Sequence, residues 1–134
     1  MSKSQDSKSP SQESINQLVS LFNQGKALEV IELAKNLVNQ YPESFILWNI
    51  IGAANNAVGE TNKAVKAFEK VTKLNPTYPD GFNNLGASLK DQGKFKAAEK
   101  ACNRAIFLDP EYAIAHYNLG NTFKDQNKLK SAIE

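Results

Sequence analysis

Apolar residues recur at helical spacing along most of the chain, and short polar or glycine-containing breaks interrupt them regularly. In one segment Trp48, Ile51 and Ala54 fall on one face of a helix. Gly59 then ends this helix, and Phe68 lies on the apolar face of the next one. The same order of helix, short turn and helix returns downstream. The pattern predicts an all-α fold built from antiparallel helical hairpins.

Small residues and prolines repeat with a period of 34 residues. Three sets keep this spacing in different registers: Gly25, Gly59 and Gly93; Pro42, Pro76 and Pro110; and Gly52, Gly86 and Gly120. A fixed period of this length is typical of stacked hairpins, because each pair of helices buries its apolar faces against its neighbours. We therefore expect one domain made of repeated hairpins.

The repeated positions predict where the chain turns and where helices approach closely. A tight reversal often needs positive φ, which glycine adopts freely and asparagine tolerates. We expect it at four positions: Gly25, Gly59, Gly93 and Asn127. Close approach needs small side chains. We expect it where Gly52, Gly86 and Gly120 face Ala64, Ala98 and Ala132.

These residues resemble the motif of the tetratricopeptide repeat, which has aromatic residues, Leu, Gly, Ala and Pro at set places. One unit matches it with Trp48, Ile51, Gly52, Gly59, Ala64, Phe68 and Pro76. The next matches it with Phe82, Leu85, Gly86, Leu89, Gly93, Ala98, Ala105 and Pro110. The repeats are similar to those of bacterial members of the family and of O-linked N-acetylglucosamine transferase. The resemblance implies a right-handed α-solenoid, a superhelix of hairpins whose first helices form a concave wall.

The register of the motif sets the domain boundaries. Residues 1–8 are polar and are expected to be a disordered tail before one repeat domain at residues 9–134. Ser9 is the expected N-cap of the first helix. We place the repeats at about residues 11–44, then at 45–78, 79–112 and 113–134.

The first and last repeats depart from the motif. Ser14 and Gln17 occupy core positions of the first repeat, which we interpret as a degenerate N-terminal cap. The fourth repeat is truncated early in its second helix. Two interpretations follow: the chain is a fragment of a longer protein, or another molecule covers this C-terminal face. Self-association through the face is one form of the second hypothesis.

Composition and charge argue against several classes of partner. The 16 basic and 14 acidic residues leave a formal net charge of +2, too small to attract nucleic acid or a membrane surface. No apolar run approaches the roughly 20 residues of a membrane span, and no secretory signal is visible. We therefore expect a cytoplasmic protein that binds neither nucleic acid nor membrane.

The residues that could support catalysis are few. His116 is the only histidine and holds the aromatic core position of its repeat, so we expect a packed ring. Cys102 holds the position of Phe68 and is expected to be a buried, inert thiol. We predict no enzymatic activity, no cofactor and no metal site.

Binding is the remaining function, and the concave wall is its expected place. The candidate groove residues are Asn49, Asn56, Asn83, Asn84, Lys90, Tyr117, Asn118, Asn121 and Lys124. An asparagine amide both donates and accepts, so Asn84 and Asn118 could bracket the peptide groups of an extended ligand. This resembles the asparagine ladder of the transferase repeats. Alternatively, these amides bond only locally or to water.

One further binding mode of the family is not expected here. Chaperone-binding members hold a C-terminal carboxylate with cationic residues at positions that are Asn49, Asp80 and Asn118 in this chain.

Taken together, these features predict a scaffold that binds a protein or an extended peptide in its groove. The alternative is a substrate-recognition or oligomerisation arm of a larger glycosyltransferase, sulfotransferase or methyltransferase.

Overall fold

The computed structural model describes residues 9–133, and all regular secondary structure in that range is α-helical. The helices are α1 (Gln12–Asn23), α2 (Ala27–Gln40), α3 (Phe45–Ala57), α4 (Thr61–Leu74), α5 (Pro79–Asp91), α6 (Phe95–Leu108) and α7 (Ala113–Ile133). The predicted tail at residues 1–8 lies outside the described residues. The all-α hairpin fold is confirmed.

The chain divides into two compact units, with the boundary after Leu74. Helices α1 to α4 form two antiparallel hairpins in the first unit, and α5 to α7 form the second unit. The apolar core of the first unit is built from Leu18, Ala27, Val30, Ala34, Val38, Leu47, Ile51, Ala54 and Ala67. These side chains come from all four of its helices, so the helices fold as one body.

The first helix begins slightly later than predicted. Its N-cap is Ser11, whose hydroxyl accepts a hydrogen bond from the Ser14 amide at 3.1 Å. The expectation of Ser9 at this position is wrong. The extended backbone of Ser11 brings its hydroxyl to the third amide beyond it, which is the geometry of an N-cap.

Three of the four predicted reversals are confirmed. Gly25, Gly59 and Gly93 have φ of 79°, 84° and 81°. The prediction for Asn127 is wrong, because α7 runs through it as one continuous 21-residue helix. Positive φ is harder for asparagine than for glycine. The segment beyond it also offers few large apolar side chains to bury, so continuing the helical hydrogen bonds is favoured.

Close helix contacts occur at two of the three predicted glycines. A Cβ at Gly52 would lie 2.5 Å from the Phe68 ring, and one at Gly86 would lie 2.7 Å from Cys102 Sγ. Gly120 differs, since a Cβ there would meet no described atom within 4 Å. The close approach predicted between Gly120 and Ala132 is therefore wrong, because both lie on the same continuous helix.

The expected packed ring of His116 is also wrong, because this residue is exposed. Its Nε2 lies 2.9 Å from the Pro110 carbonyl oxygen. Trp48 makes the same contact two repeats earlier, donating its indole N–H to the Pro42 carbonyl at 2.8 Å. Both rings thus tether the turn six residues before them.

Candidate functional site

Helices α5 and α7 lie side by side in the second unit, and three polar bridges join α5 to α7 or to Tyr112, the residue just before α7. The bridges connect Asp80 with Tyr112, Asn83 with Asn118, and Lys90 with Asp125. Because they follow the same order along both segments, the two helices run in the same direction. We call these six residues the α5–α7 face. It extends over about 15 Å of α5, at 1.5 Å per residue.

The central bridge is a hydrogen bond between two amides. Asn118 Nδ2 donates to Asn83 Oδ1 at 2.8 Å, and the Asn83 side chain is buried. Thr122, also buried, donates its hydroxyl to the main-chain carbonyl oxygen of Asn118 at 2.8 Å. The bond to Asn83 holds the side-chain amide of Asn118, which has two N–H groups and a carbonyl oxygen, in one orientation.

The bridge at the C-terminal end of α5 is electrostatic. Lys90 Nζ lies 3.7 Å from Asp91 Oδ1 and 3.9 Å from Asp125 Oδ2. The Lys90 side chain is only 20% exposed, so two carboxylates share one largely buried cation. Its charge is therefore offset within the protein, and Lys90 does not present an isolated positive charge to an anionic ligand.

The bridge at the N-terminal end was not predicted from the sequence. Asp80 accepts a hydrogen bond from the Tyr112 phenol, and Tyr78 makes the same type of contact with it. Burial, together with the adjacent Asp80, raises the pKa of both tyrosines. Both phenols therefore stay protonated at neutral pH and act as donors to the carboxylate. The 34-residue spacing of Tyr78 and Tyr112 was the signal in the sequence that could have revealed this bridge.

The other predicted groove residues of the second unit surround this face. Tyr117 is 70% exposed on α7, Asn121 is half-buried and Lys124 is exposed. Asn84 is half-buried next to Asn83. Asn83 and Asn118 were both predicted groove residues, but the hydrogen bond between them was not predicted. A separation of one repeat plus one residue was the signal that could have revealed it.

Two predicted groove residues belong to the first unit. Asn49 and Asn56 are half-buried on α3. Asn49 lines a small cavity of about 100 Å³ with Val19, Phe22, Ile50 and Ala53. This cavity is mostly apolar and too small for a peptide segment.

A larger cavity of about 490 Å³ lies between α5 and α6 in the second unit. Its walls are Phe82, Leu85, Leu89, Ala97, Lys100, Ala101, Asn103 and Arg104. The lining is largely apolar, so few groups could orient a polar ligand. The α5–α7 face offers more hydrogen-bonding groups and is the better candidate site.

Metal binding and thiol chemistry both have limited means among residues 9–133. Within residues 9–133, no cluster of three or more His, Cys, Asp or Glu side chains could hold a metal ion. Cys102 is buried, and burial raises the pKa of its thiol to about 11. It is therefore an uncharged core residue near neutral pH, as predicted. None of the helices in this range is long and apolar enough to cross a bilayer.

Two protein-family models match parts of this chain. Residues 79–112 match a model described as tetratricopeptide repeat, and residues 52–93 match one described as TPR repeat. Both matches include α5, which carries half of the α5–α7 face. No curated protein matches the chain by sequence.

Solved structures share the fold at low sequence identity. MamA is 22% identical with a TM-score of 0.79, over 90% of this chain and 66% of the MamA chain. The first TPR of Spaghetti (RPAP3), bound to the HSP90 peptide SRMEEVD, is 20% identical with a TM-score of 0.82, over 90% of this chain and 98% of that one. A Thermobaculum terrenum O-GlcNAc transferase mutant is 19% identical with a TM-score of 0.75, over 85% of this chain and 23% of the transferase.

These identities establish the fold alone. This chain spans just under two thirds of MamA and less than a quarter of the transferase. The repeat motif, the two family matches and the hairpin architecture agree with one another. Residues 52–112 of this chain therefore belong to the tetratricopeptide repeat family.

Proposed function

We propose that this protein is a non-catalytic interaction scaffold whose α5–α7 face binds an extended peptide segment of a partner protein. The observation that carries the proposal is the side-chain amide of Asn118, which its bond to Asn83 holds in one orientation. A fixed amide contacts a peptide group without first losing side-chain entropy, so the ligand bears most of the ordering cost. The peptide bound by the Spaghetti domain, which has a similar fold, supports a peptide as the ligand.

The residues around the central bridge would supply the remaining contacts. Asn84 and Asn121 carry amides one helical turn or less from it along their helices, and Tyr117 presents an exposed ring. Amides recognise the peptide backbone irrespective of side chains, while an aromatic ring adds apolar contact area. Lys124 lies at the edge of this surface. Asn49 and Asn56 would serve the first unit in the same way.

The test begins with capture of peptides from an array by the full chain. Affinity of a captured peptide is then measured by fluorescence anisotropy for the Asn84→Ala/Asn118→Ala double variant. We expect a loss of about tenfold or more, equivalent to about 1.4 kcal/mol, with unchanged helical content. Asn36→Ala/Asn39→Ala is the matched control, because both residues are exposed on α2. A folded groove variant with unchanged affinity would contradict the proposal.

The enzyme-arm alternative is kept as a second hypothesis. The likeness to the transferase covers most of this chain, although at 19% identity it bears on the fold only. In that role the same face would recognise a substrate protein for a catalytic domain elsewhere. Reading the coding sequence beyond Glu134 tests it: a catalytic domain in the same reading frame supports the hypothesis, and an immediate stop codon removes it.

Self-association through α7 is a further proposal. The large apolar side chains exposed on this helix are Ile114, Tyr117, Phe123, Leu129 and Ile133. The open space beside Gly120 would admit a side chain from a second copy. Sedimentation velocity over a concentration series should then show reversible dimers, which Phe123→Ser should weaken. A strictly monomeric chain at the highest concentration would exclude this interaction.

A further inference from the structure

Charge is unevenly distributed along the helices that carry the α5–α7 face. At its C-terminal end, Lys90 is shared between Asp91 and Asp125, and Lys124 is nearby. Positive and negative groups therefore balance closely at that end. The N-terminal end carries the Asp80 carboxylate, and the Asp109 carboxylate lies close enough to Tyr112 to contribute to its raised pKa. A ligand in the groove thus meets a nearly neutral end and a negative end.

The Asp80 carboxylate has no cationic partner. Among residues 9–133, no ion pair joins it to a lysine, an arginine or the histidine. Its observed partners are the phenols of Tyr78 and Tyr112, which are neutral donors. The N-terminus of α5 offsets part of the negative charge, but it contributes no full positive charge.

Asp80 also has capacity for another ligand. A carboxylate has two oxygens and about four acceptor positions, so two phenol bonds leave acceptor positions unused. Asp80 is half-buried, which weakens screening by water and strengthens its attraction for a cation. It precedes Asn83 by three residues on α5, so it lies one helical turn from the central bridge and on the same side of the helix.

We propose that the Asp80 end of the α5–α7 face binds a basic side chain, lysine or arginine, of the peptide that occupies the groove. This inference rests on the proposed peptide-binding function and specifies the chemical class of its partner. The ammonium or guanidinium group would donate to Asp80, and the Tyr112 oxygen, which donates its own proton to Asp80, can accept from the same cation.

The proposal separates this chain from the acidic ligand seen on a similar fold. The peptide SRMEEVD, bound by the Spaghetti domain, carries three acidic side chains and one arginine. An acidic C-terminus placed at Asp80 would bring two carboxylates together without a cation between them. We therefore expect the chain to discriminate against SRMEEVD and in favour of basic peptides.

The experiment compares captured peptides by charge. A cellulose array of peptides of uniform length and systematically varied charge, including SRMEEVD, is probed with the full chain and with Asp80→Asn. Glu111→Gln is the matched control, because it removes the same charge from an exposed residue of the same unit outside the face. We expect enrichment of lysine and arginine for the native chain and for Glu111→Gln, and loss of the enrichment for Asp80→Asn.

A second measurement gives the size of the effect. The best lysine peptide and its norleucine counterpart are titrated by fluorescence anisotropy. We expect a preference of about tenfold for lysine, as for a charge-assisted hydrogen bond at a partly buried site. The preference should fall to less than about twofold in Asp80→Asn and should shrink at 1 M salt, where the Debye length is about 3 Å. Asp80→Ser is a second neutral variant, to be used if Asp80→Asn loses helical content.

The outcomes separate the two proposals. If peptides bind without a basic preference, or if the preference persists in a folded Asp80 variant, the inference is wrong while peptide binding stands. If no peptide of any charge is captured, the proposed function fails and the inference fails with it.

Discussion

Phe68 packs its ring directly over the backbone of Gly52, so closely that a Cβ at this glycine would lie 2.5 Å from Cε1 of the ring. The contact joins α3 to α4. The ring is 2% exposed and Ala64, one turn earlier on α4, is fully buried. The hairpin therefore depends on the absence of one methyl group, and this dependence leads to the first prediction.

Gly52→Ala should lower the free energy of unfolding by about 1–3 kcal/mol, because the added methyl group overpacks the interface between two helices. Gly120→Ala is the control, because a Cβ there meets no described atom within 4 Å. Alanine is the better helix former, so Gly120→Ala should raise stability by about 0.5–1 kcal/mol. Urea unfolding followed by circular dichroism measures both. Equal effects of the two substitutions would contradict the packing assignment.

Gly59→Ala should destabilise the protein for a different reason. A Cβ at Gly59 has open space around it, but φ is 84°, which an L side chain adopts at a cost. We expect a loss of about 1–2 kcal/mol, the cost of the left-handed region for alanine. Gly59→Asn should lose less, because asparagine tolerates this conformation better. Equal losses for the two variants would show that backbone conformation is not the cause.

Ser88→Ala should stabilise the protein. The Ser88 side chain is fully buried on α5, and its hydroxyl has no hydrogen-bond partner among the described residues. Removing an unsatisfied hydroxyl and gaining helix propensity should raise the free energy of unfolding by about 1 kcal/mol.

Thr122→Val tests the same argument in the opposite direction. Thr122 is equally buried one repeat later, but its hydroxyl donates to the Asn118 carbonyl. Losing that hydrogen bond should cost about 1 kcal/mol. Thermal unfolding of both variants gives the comparison, and a destabilised Ser88→Ala would indicate a partner for the hydroxyl.

Stability should fall at alkaline pH. The pKa of Cys102 is raised from 9.0 to about 11 in the folded chain, mainly by burial, and those of Tyr78 and Tyr112 are raised in the same direction. The folded state therefore holds these protons more tightly than the unfolded state. Their contribution is complete below pH 9, the ordinary value for the thiol, and is lost as the pH rises through the folded-state values.

Urea unfolding between pH 7.5 and 10.5 measures this loss. Tyr112→Phe removes one of the titrating groups, so the stability of that variant should depend less steeply on pH than the native stability does. A native stability that rises over this interval would have the wrong sign and would rule out the assignment.

The features that could be predicted from the sequence are those that depend on single residues or on residues close together in the chain. Helical spacing and the period of 34 residues predicted the hairpins, because each depends on residues close together in the chain. Gly25, Gly59 and Gly93 were predictable turns, since positive φ is a property of a single residue. The thiol of Cys102 was predictably buried, because its repeat position had already been identified with that of Phe68.

The remaining features depend on which side chains the folded helices bring together. Asn127 matched the turn register, yet α7 continues through it, because the helical hydrogen bonds outweigh what a reversal would bury. His116 matched a core register and is exposed.

Sequence alone thus determined the repeats, their hairpins, and asparagines as candidate binding groups. Only the tertiary structure decided that Asn118 bonds to Asn83, that Asp91 and Asp125 share Lys90, and that Asp80 has phenols but no ion-pair partner within residues 9–133. The physical reason is distance along the chain. A periodic pattern specifies which face of a helix a residue occupies, whereas a hydrogen bond between helices depends on their relative position to within about 0.5 Å.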